Sequence, residues 1–365
     1  MKNPFLSYLK EEKIEYLTPV CSLNKAILAK LPVYGIDDSI QGLSFRDVFS
    51  TQVIVNEIKA EAKHYNIDIS RFEDYMLPKL LDKALVSDDV KYRQLATKIA
   101  VKFGNRLGLL LLTLKLGEKE NRAARPDWEQ RHWDYWAQLD TVIFVGGLAS
   151  GMLGRRIKER IAFVFDLAGV KPYNIMLFDN GTYVGVLGCA QKLMHSNTTS
   201  LVFDFGHTNL KRCVVRKGKN EGEVRELIEL ESVKSCFVHS KLEDHENPWQ
   251  TALMLHRYLV KVIVDTYKEQ IKKHPLSDEI IISIANYNAG GVLNSIRGGY
   301  AKLTELSNDY AKLLNEDLSG MLRKRVKVRL VHDGTANALY FSEIENSVCI
   351  SLGTAFGVGF TDINI

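Results

Sequence analysis

Short β-branched runs alternate with segments of helical period in both halves of the 365-residue chain, which predicts an α/β protein. The length suits two domains, each large enough for its own core. Glycine turns that end apolar runs near residues 146, 206 and 353 give both halves the same kind of feature. Hydrophobic residues make up 46% and charged residues 25%, which excludes a disordered chain.

The elements follow from spacing. Val53, Ile54, Ile58, Ala62 and Tyr65 recur on one helical face, and Leu95, Ile99, Phe103, Leu107 and Leu111 do so again before Gly117 stops the pattern. The charged stretch 118–136 holds Trp128, Trp133 and Trp136. It reads as a surface excursion where an oligomer contact such as a homodimer could form, or as rings packing over a loop. A strand over 141–145 runs into Gly146 and Gly147, then a helix over 152–168. Apolar runs at 175–178 and 183–187 flank the turn residues Asp179, Asn180 and Gly181, and a short helical segment follows to about 194. Residues 195–199 are polar and read as a joint between domains.

Strands are expected over 201–205, 211–215 and 224–232, followed by a helix over 248–273 and a strand over 279–284. Gly290, Gly291, Gly298 and Gly299 mark a long loop before a helix at 303–314. Alternation at 326–331 predicts a half-exposed strand, Asp333 and Gly334 end it, and 335–341 reads as a helix. Two last apolar runs, 347–352 and 358–363, enclose a glycine turn.

A formal charge of +4 on so long a chain predicts no nucleic-acid partner, and the basic run 323–329 reads as a solvated strand edge. Cys21, Cys189, Cys213, Cys236 and Cys349 are scattered and odd in number, which fits a reducing cytoplasm better than a disulfide framework. No membrane span is expected, because the most apolar stretch, 107–116, is short and interrupted by Lys115. The N-terminus lacks a signal-peptide core. His64, His239, His245 and His256 fall in no ligand spacing, so zinc is not expected.

Chemistry concentrates in the turns. Asp204, Gly206, Thr208, Asn209 and Lys211 follow a strand, and one carboxylate with one hydroxyl around a glycine suits a metal-bound polyphosphate. Asp204 would hold the metal through water. Gly353 and Thr354 could present N–H groups and a hydroxyl to phosphates, or merely turn a hairpin. Gly146 and Gly147 could let a base or ribose approach the backbone, or merely permit tight helix packing. Asp333 sits where a strand meets a helix. It is placed either to accept a proton or to cap that helix.

Together these segments resemble the ROK (repressor, open reading frame, kinase) branch of glucokinase-like sugar kinases in the actin-like ATPase superfamily. The phosphate 1 motif resembles 204–211, the catalytic N-D-x-x-x-x-A-L segment resembles 332–339, and phosphate 2 resembles 353–359. The adenosine motif resembles 142–147 together with 185–190. Their succession differs from the family's, and a circular permutation explains it. The resemblance implies a two-lobed, ribonuclease H-like fold with a cleft between lobes. Residues 1–196 with 346–365 would form the nucleotide lobe, and 197–345 the phosphate 1 and acceptor lobe, with the chain termini close together in the first.

The activity so implied is ATP- and Mg2+-dependent phosphoryl transfer to a sugar-like hydroxyl. Asp333 would be the base and Asp204 the metal organiser, with Thr208, Gly353 and Thr354 on the phosphates and Gly146 and Gly147 beside adenosine. Asn286, Asn288, Gly290 and Gly291 would contact the acceptor, as would His332, which replaces the family's sugar-touching asparagine. His207 and Ala355 also replace motif glycines, and the zinc cysteines and E-x-G-H motif are missing. A catalytically degenerate nucleotide- or sugar-binding protein on the same scaffold is the alternative. A repressor would need a helix-turn-helix segment, and none is apparent.

Overall fold

The computed structural model describes residues 2–11, 13–179, 181–220, 223–239, 247–296 and 298–363. The chain divides into two compact units. One comprises Met1–Phe5, Val20–Thr182 and Ile344–Val358, and the other Leu6–Pro19, Tyr183–Glu343 and Gly359–Ile365. It is an α/β protein, with a mixed array of strands and helices in each unit. The 196/197 boundary expected from sequence thus lies inside the second unit. Met1, Asn364 and Ile365, on which the expected meeting of the termini rests, lie outside the described residues, as does Asn180. The described residues nearest the two ends fall in different units.

The first unit holds a four-stranded sheet in the order Gly357–Phe360, Ser347–Ser351, Thr141–Val145, Asn174–Leu177, the unit boundary falling within the first of these strands. The last three run parallel, with Val145 level with Ser351. Thr141–Val145 is buried along its whole length, as a central parallel strand of β-branched residues should be. The helix Gly151–Leu167 makes the crossover to Asn174–Leu177. Against it packs the 27-residue helix Val90–Leu116, where Gly104 and Gly108 leave room: a Cβ on either would lie 2.6 Å and 2.9 Å from Cβ of Arg160 and Val164. Gly117, at φ +52°, ends that helix as its position predicts.

The tryptophan-rich stretch is a correction. It forms the helices Lys119–Ala123 and Gln130–Gln138, and Trp128, Trp133 and Trp136 are all buried. Trp128 meets Trp133 edge-on at 5.0 Å, and its indole N–H donates to Val20 O (2.8 Å), so the rings form the seat for the chain's early residues. The intervening charges supply the solvated face, which is why the sequence reads as surface. Another correction concerns 183–187, which is the start of the helix Val184–Gln191 rather than an extended run.

The second unit is built on a five-stranded sheet in the order Lys327–His332, Leu276–Ile284, Thr199–Phe205, Asn209–Lys217, Val224–Lys234. Thr199–Phe205 pairs antiparallel with Asn209–Lys217, which pairs antiparallel with Val224–Lys234. The helix Pro248–Gln270 then returns the chain so that Leu276–Ile284 runs parallel to Thr199–Phe205, and Tyr310–Leu322 does the same for Lys327–His332. Leu201, Phe203, Phe205, Ile280, Ile282 and Ile284 put alternate side chains into a core closed by Leu255, Leu259 and Leu314. The strands carry the chain to one edge of the sheet, where Asp204 and Asp333 stand one strand apart.

The short helix Asp333–Leu339 is wedged between backbones. A Cβ added to Gly188 would lie 1.8 Å from Ala336 O, and one on Gly359 would lie 1.9 Å from Gly334 O. Gly188→Ala should therefore cost at least about 1–3 kcal/mol of unfolding free energy. Gly320, helical and open on its Cβ side, should gain about 0.5–1 kcal/mol on replacement by Ala. Urea unfolding of both variants checks the opposite signs.

Candidate active site

Asp204 ends the central strand of the second unit, level with Ser283 on the neighbouring strand. Its Oδ1 accepts from Ser283 Oγ at 2.9 Å and its Oδ2 from Lys211 Nζ at 2.6 Å. Lys211 lies directly opposite on the antiparallel strand, so a cross-strand pair sets this ion pair. Gly185 closes over the group, its Cβ position lying 3.2 Å from Asn337 Oδ1, 3.4 Å from Ser283 Oγ and 3.8 Å from Asp204 Oδ1. Gly185 and Gly188 were grouped by sequence with Gly146 and Gly147. They fall in the other unit, where they allow close packing around the carboxylates.

The hairpin after Asp204 is a two-residue loop, His207–Thr208, closed by Gly206 N–H donating to Asn209 O at 3.2 Å. Gly206 O is held from within: Tyr300 Oη donates at 2.8 Å and Ser235 Oγ at 2.6 Å. Burial pushes the Tyr300 phenol far up, which keeps it a donor. Thr208 and Asn209 stand exposed at the tip, so a hydroxyl and an amide are presented on an anchored turn. Ser283, Ser235 and Tyr300 belong to no motif, and only strand register and topology bring them here.

Asp333 is about a third exposed, with a side-chain value of 36%. Its Oδ1 accepts from the Gly334 N–H at 2.8 Å. Burial of the carboxyl and the negative charge of Asp204 push its pKa up to about 6, against the opposing pull of His207 and Lys211. His332 precedes it and is buried, its ring stacked on Tyr287 at 4.2 Å. Burial drives the imidazole down to about pKa 3, so it is neutral. Its Nδ1 accepts from Thr335 N–H at 3.2 Å, capping the helix, which leaves the proton on Nε2, 3.1 Å from Asp333 Oδ1. The ring expected at the substrate thus caps the helix that begins with Asp333.

The other acceptor candidates are also engaged. Asn286 pairs its amide with both backbone groups of Asn294, at 2.9 and 3.1 Å. Asn288 donates to Leu330 O (3.1 Å) and accepts from His332 N–H (3.0 Å) in the amide orientation that satisfies both. Gly290 and Gly291 take positive φ, and Gly291 O accepts from Tyr310 N–H at 3.1 Å. Asn288, Gly290, Gly291 and His332 do converge, on a cavity of about 500 Å³, but Asp333 is not among its lining residues.

In the first unit, Gly146 and Gly353 lie beside one another because their strands are parallel neighbours. Leu352 N–H donates to Val145 O (2.8 Å), and a Cβ on Gly146, at φ +98°, would lie 2.7 Å from Leu352 O. Gly147 and Gly353 face open space, and Thr354 is exposed. Two carboxylates already serve the helix that follows Gly147: Asp179 accepts from Gly151 N–H (3.0 Å) and Asp82 from Leu153 N–H (2.9 Å). The 353–356 turn is fastened by residues no motif points to. Asn24 both accepts from and donates to Phe356 (2.9 and 2.8 Å), and Thr51 N–H donates to Gly353 O (2.9 Å).

Among the described residues, no group of three or more His, Cys, Asp or Glu is placed to hold a metal ion, and His245 lies outside them. A single water-bridged cation at Asp204 is a different demand. Each oxygen of Asp204 has one partner and one lone pair left, so a water held by a cation can still reach it. The residues fit a magnesium ion held through water. No helix of the described residues is long and apolar enough to cross a membrane. Comparison with protein-family models finds no match to this chain, and comparison with curated proteins finds none either.

The two shifts act on stability with opposite signs. The folded state holds the Asp333 proton more tightly than the unfolded chain, so the ionised carboxylate costs stability, increasingly from about pH 4 to about pH 6. His332 stays neutral in the fold but protonates in the unfolded chain, so stability falls as pH drops from about 6.5 towards 3. Asp333→Asn should raise Tm at pH 7.5, and the gain should disappear at pH 4. A gain of equal size at both pH values would contradict the charge-pair account.

Proposed function

We propose that the chain is an ATP-dependent, magnesium-requiring kinase acting on a sugar or sugar-like hydroxyl. The observation that carries this reading is the pair Asp204 and Asp333 at one edge of the sheet with a single strand between them, one tied to Lys211 and the other raised to about pKa 6. At pH 7 Asp333 is mainly ionised yet basic enough to take the acceptor hydroxyl's proton while that oxygen attacks the γ-phosphorus and ADP departs. The Gly334 N–H keeps one Asp333 oxygen in place and leaves the other for the acceptor. Magnesium, water-bridged to Asp204, would screen the phosphate oxygens. Thr208 and Lys211 are assigned to the β- and γ-phosphates.

The sheet orders support the actin-like, permuted fold. If Ser347–Ser351 is matched to Thr199–Phe205, both sheets contain hairpin partner, turn-bearing strand, parallel strand, parallel strand, the second carrying Val224–Lys234 beyond its hairpin partner. In the first unit those parallel strands come earlier in the chain than the hairpin, as a permutation requires. The second reading, a binding protein without transfer, draws on the internal commitments of Asn286, Asn288 and His332, which leave the acceptor few partners.

Phosphoryl transfer from ATP, assayed across a hexose panel with magnesium, separates the two. Asp333→Asn should lower kcat about 10²- to 10⁴-fold with little change in KM for ATP. Transfer that survives this substitution would remove the proposed base. Nucleotide binding without transfer to any hexose by the native chain would favour the second reading. Wild-type activity should rise with pH through about 6, following Asp333.

A further inference from the structure

The cavity of about 500 Å³ beside the strand Lys327–His332 has a specific hydrogen-bonding pattern. That strand is the edge of the sheet, so the outer backbone groups of alternate residues lack a neighbouring strand. Asn315 Oδ1 accepts from Val328 N–H at 2.5 Å, and Asn288 serves Leu330 O and His332 N–H. Because N–H and C=O of one residue point to the same side, Val328 C=O and Leu330 N–H also face outward. Neither has a hydrogen-bond partner among the described residues outside the ladder. One acceptor and one donor are therefore left open, two residues apart, between two asparagine plugs.

In a parallel ladder, a single residue donates its N–H to position j−1 and accepts at its C=O from position j+1. The open pair matches one such residue and no more, since the plugs block extension at both ends. A continuous peptide strand is thus excluded, and the volume suits a small ligand. Ile14, Leu17, Met194 and Ile363 supply apolar wall. Among the charged lining groups, Arg329 is paired with Glu279 (2.9 Å), Asp309 caps the helix Tyr310–Leu322 through Lys312 N–H (2.9 Å), and Glu15 is the remaining acid. The ammonium groups of Lys312 and Lys327 carry no ion pair among the described residues, which leaves the cavity with positive charge to offer.

We propose that this cavity binds an N-acyl amino acid: amide N–H to Val328 O, carboxylate to Leu330 N–H and a lysine, acyl chain against the apolar wall. Its lining residue His332 caps the helix that begins with Asp333, so such a ligand would be felt at that helix start. The inference does not rest on the kinase reading, and its test reads binding only.

The test titrates ¹⁵N-labelled full-length protein with N-butanoyl-L-valine, its methyl ester, and acetate. The acid should shift the Leu330 amide saturably, the ester should bind at least about tenfold more weakly, and acetate should not compete. The double substitution Lys312→Ala with Lys327→Ala, both exposed, should weaken the acid by about tenfold and leave the ester unchanged. Leu330→Pro removes the donor at an edge position that tolerates proline, and should weaken the saturable shift of the Val328 amide by at least about tenfold. No saturable shift up to the solubility limit, equal affinity for acid and ester, shifts confined to other residues, or full competition by acetate would each overturn the proposal.

Discussion

Two carboxylates stand at the same edge of one sheet with a single strand between their own strands, and most of the second unit's local detail answers to that repulsion. Adjacent strands lie about 4.8 Å apart, so two steps keep the groups near enough to feel one another and far enough to admit other atoms between. Asp204 is charge-balanced by Lys211 and steadied by Ser283. Asp333 has no cation in direct contact among the described residues, and the Gly334 N–H donates to it instead. That asymmetry separates the two acids: one is anchored as an anion, the other is held near the point of taking or giving a proton.

The turn beside them is stiffened from below. Gly206 O receives two hydroxyls, from Tyr300 and Ser235, which come from segments far apart in the chain. A two-residue loop fixed in this way presents its tip without having to order first, which lowers the entropic cost of meeting a ligand. Asn24 does the same for the 353–356 turn of the first unit by bracketing Phe356.

Strands and long helices were legible because their periodicity is local: Thr141–Val145, Val90–Leu116 and Pro248–Gln270 lie close to where spacing puts them. The positions of Asp204 and Asp333 at strand ends were legible because strand ends and turns carry distinctive residues. The roles of Asn286, Asn288 and His332 were not, since an amide or imidazole after a strand looks the same whether it meets a substrate or closes a backbone. Gly185 and Gly188 misled for a related reason: a glycine signals close approach but not what approaches. The buried tryptophans misled because charged neighbours on the other helical face dominate the local composition.

The contacts of Gly188 and Gly359 with the helix Asp333–Leu339 are between main-chain atoms. Side chains yield by changing rotamer, whereas peptide groups in contact have no such slack. The helices Val184–Gln191 and Asp333–Leu339 are therefore set against one another with little room for either to shift alone, like two bricks laid without mortar.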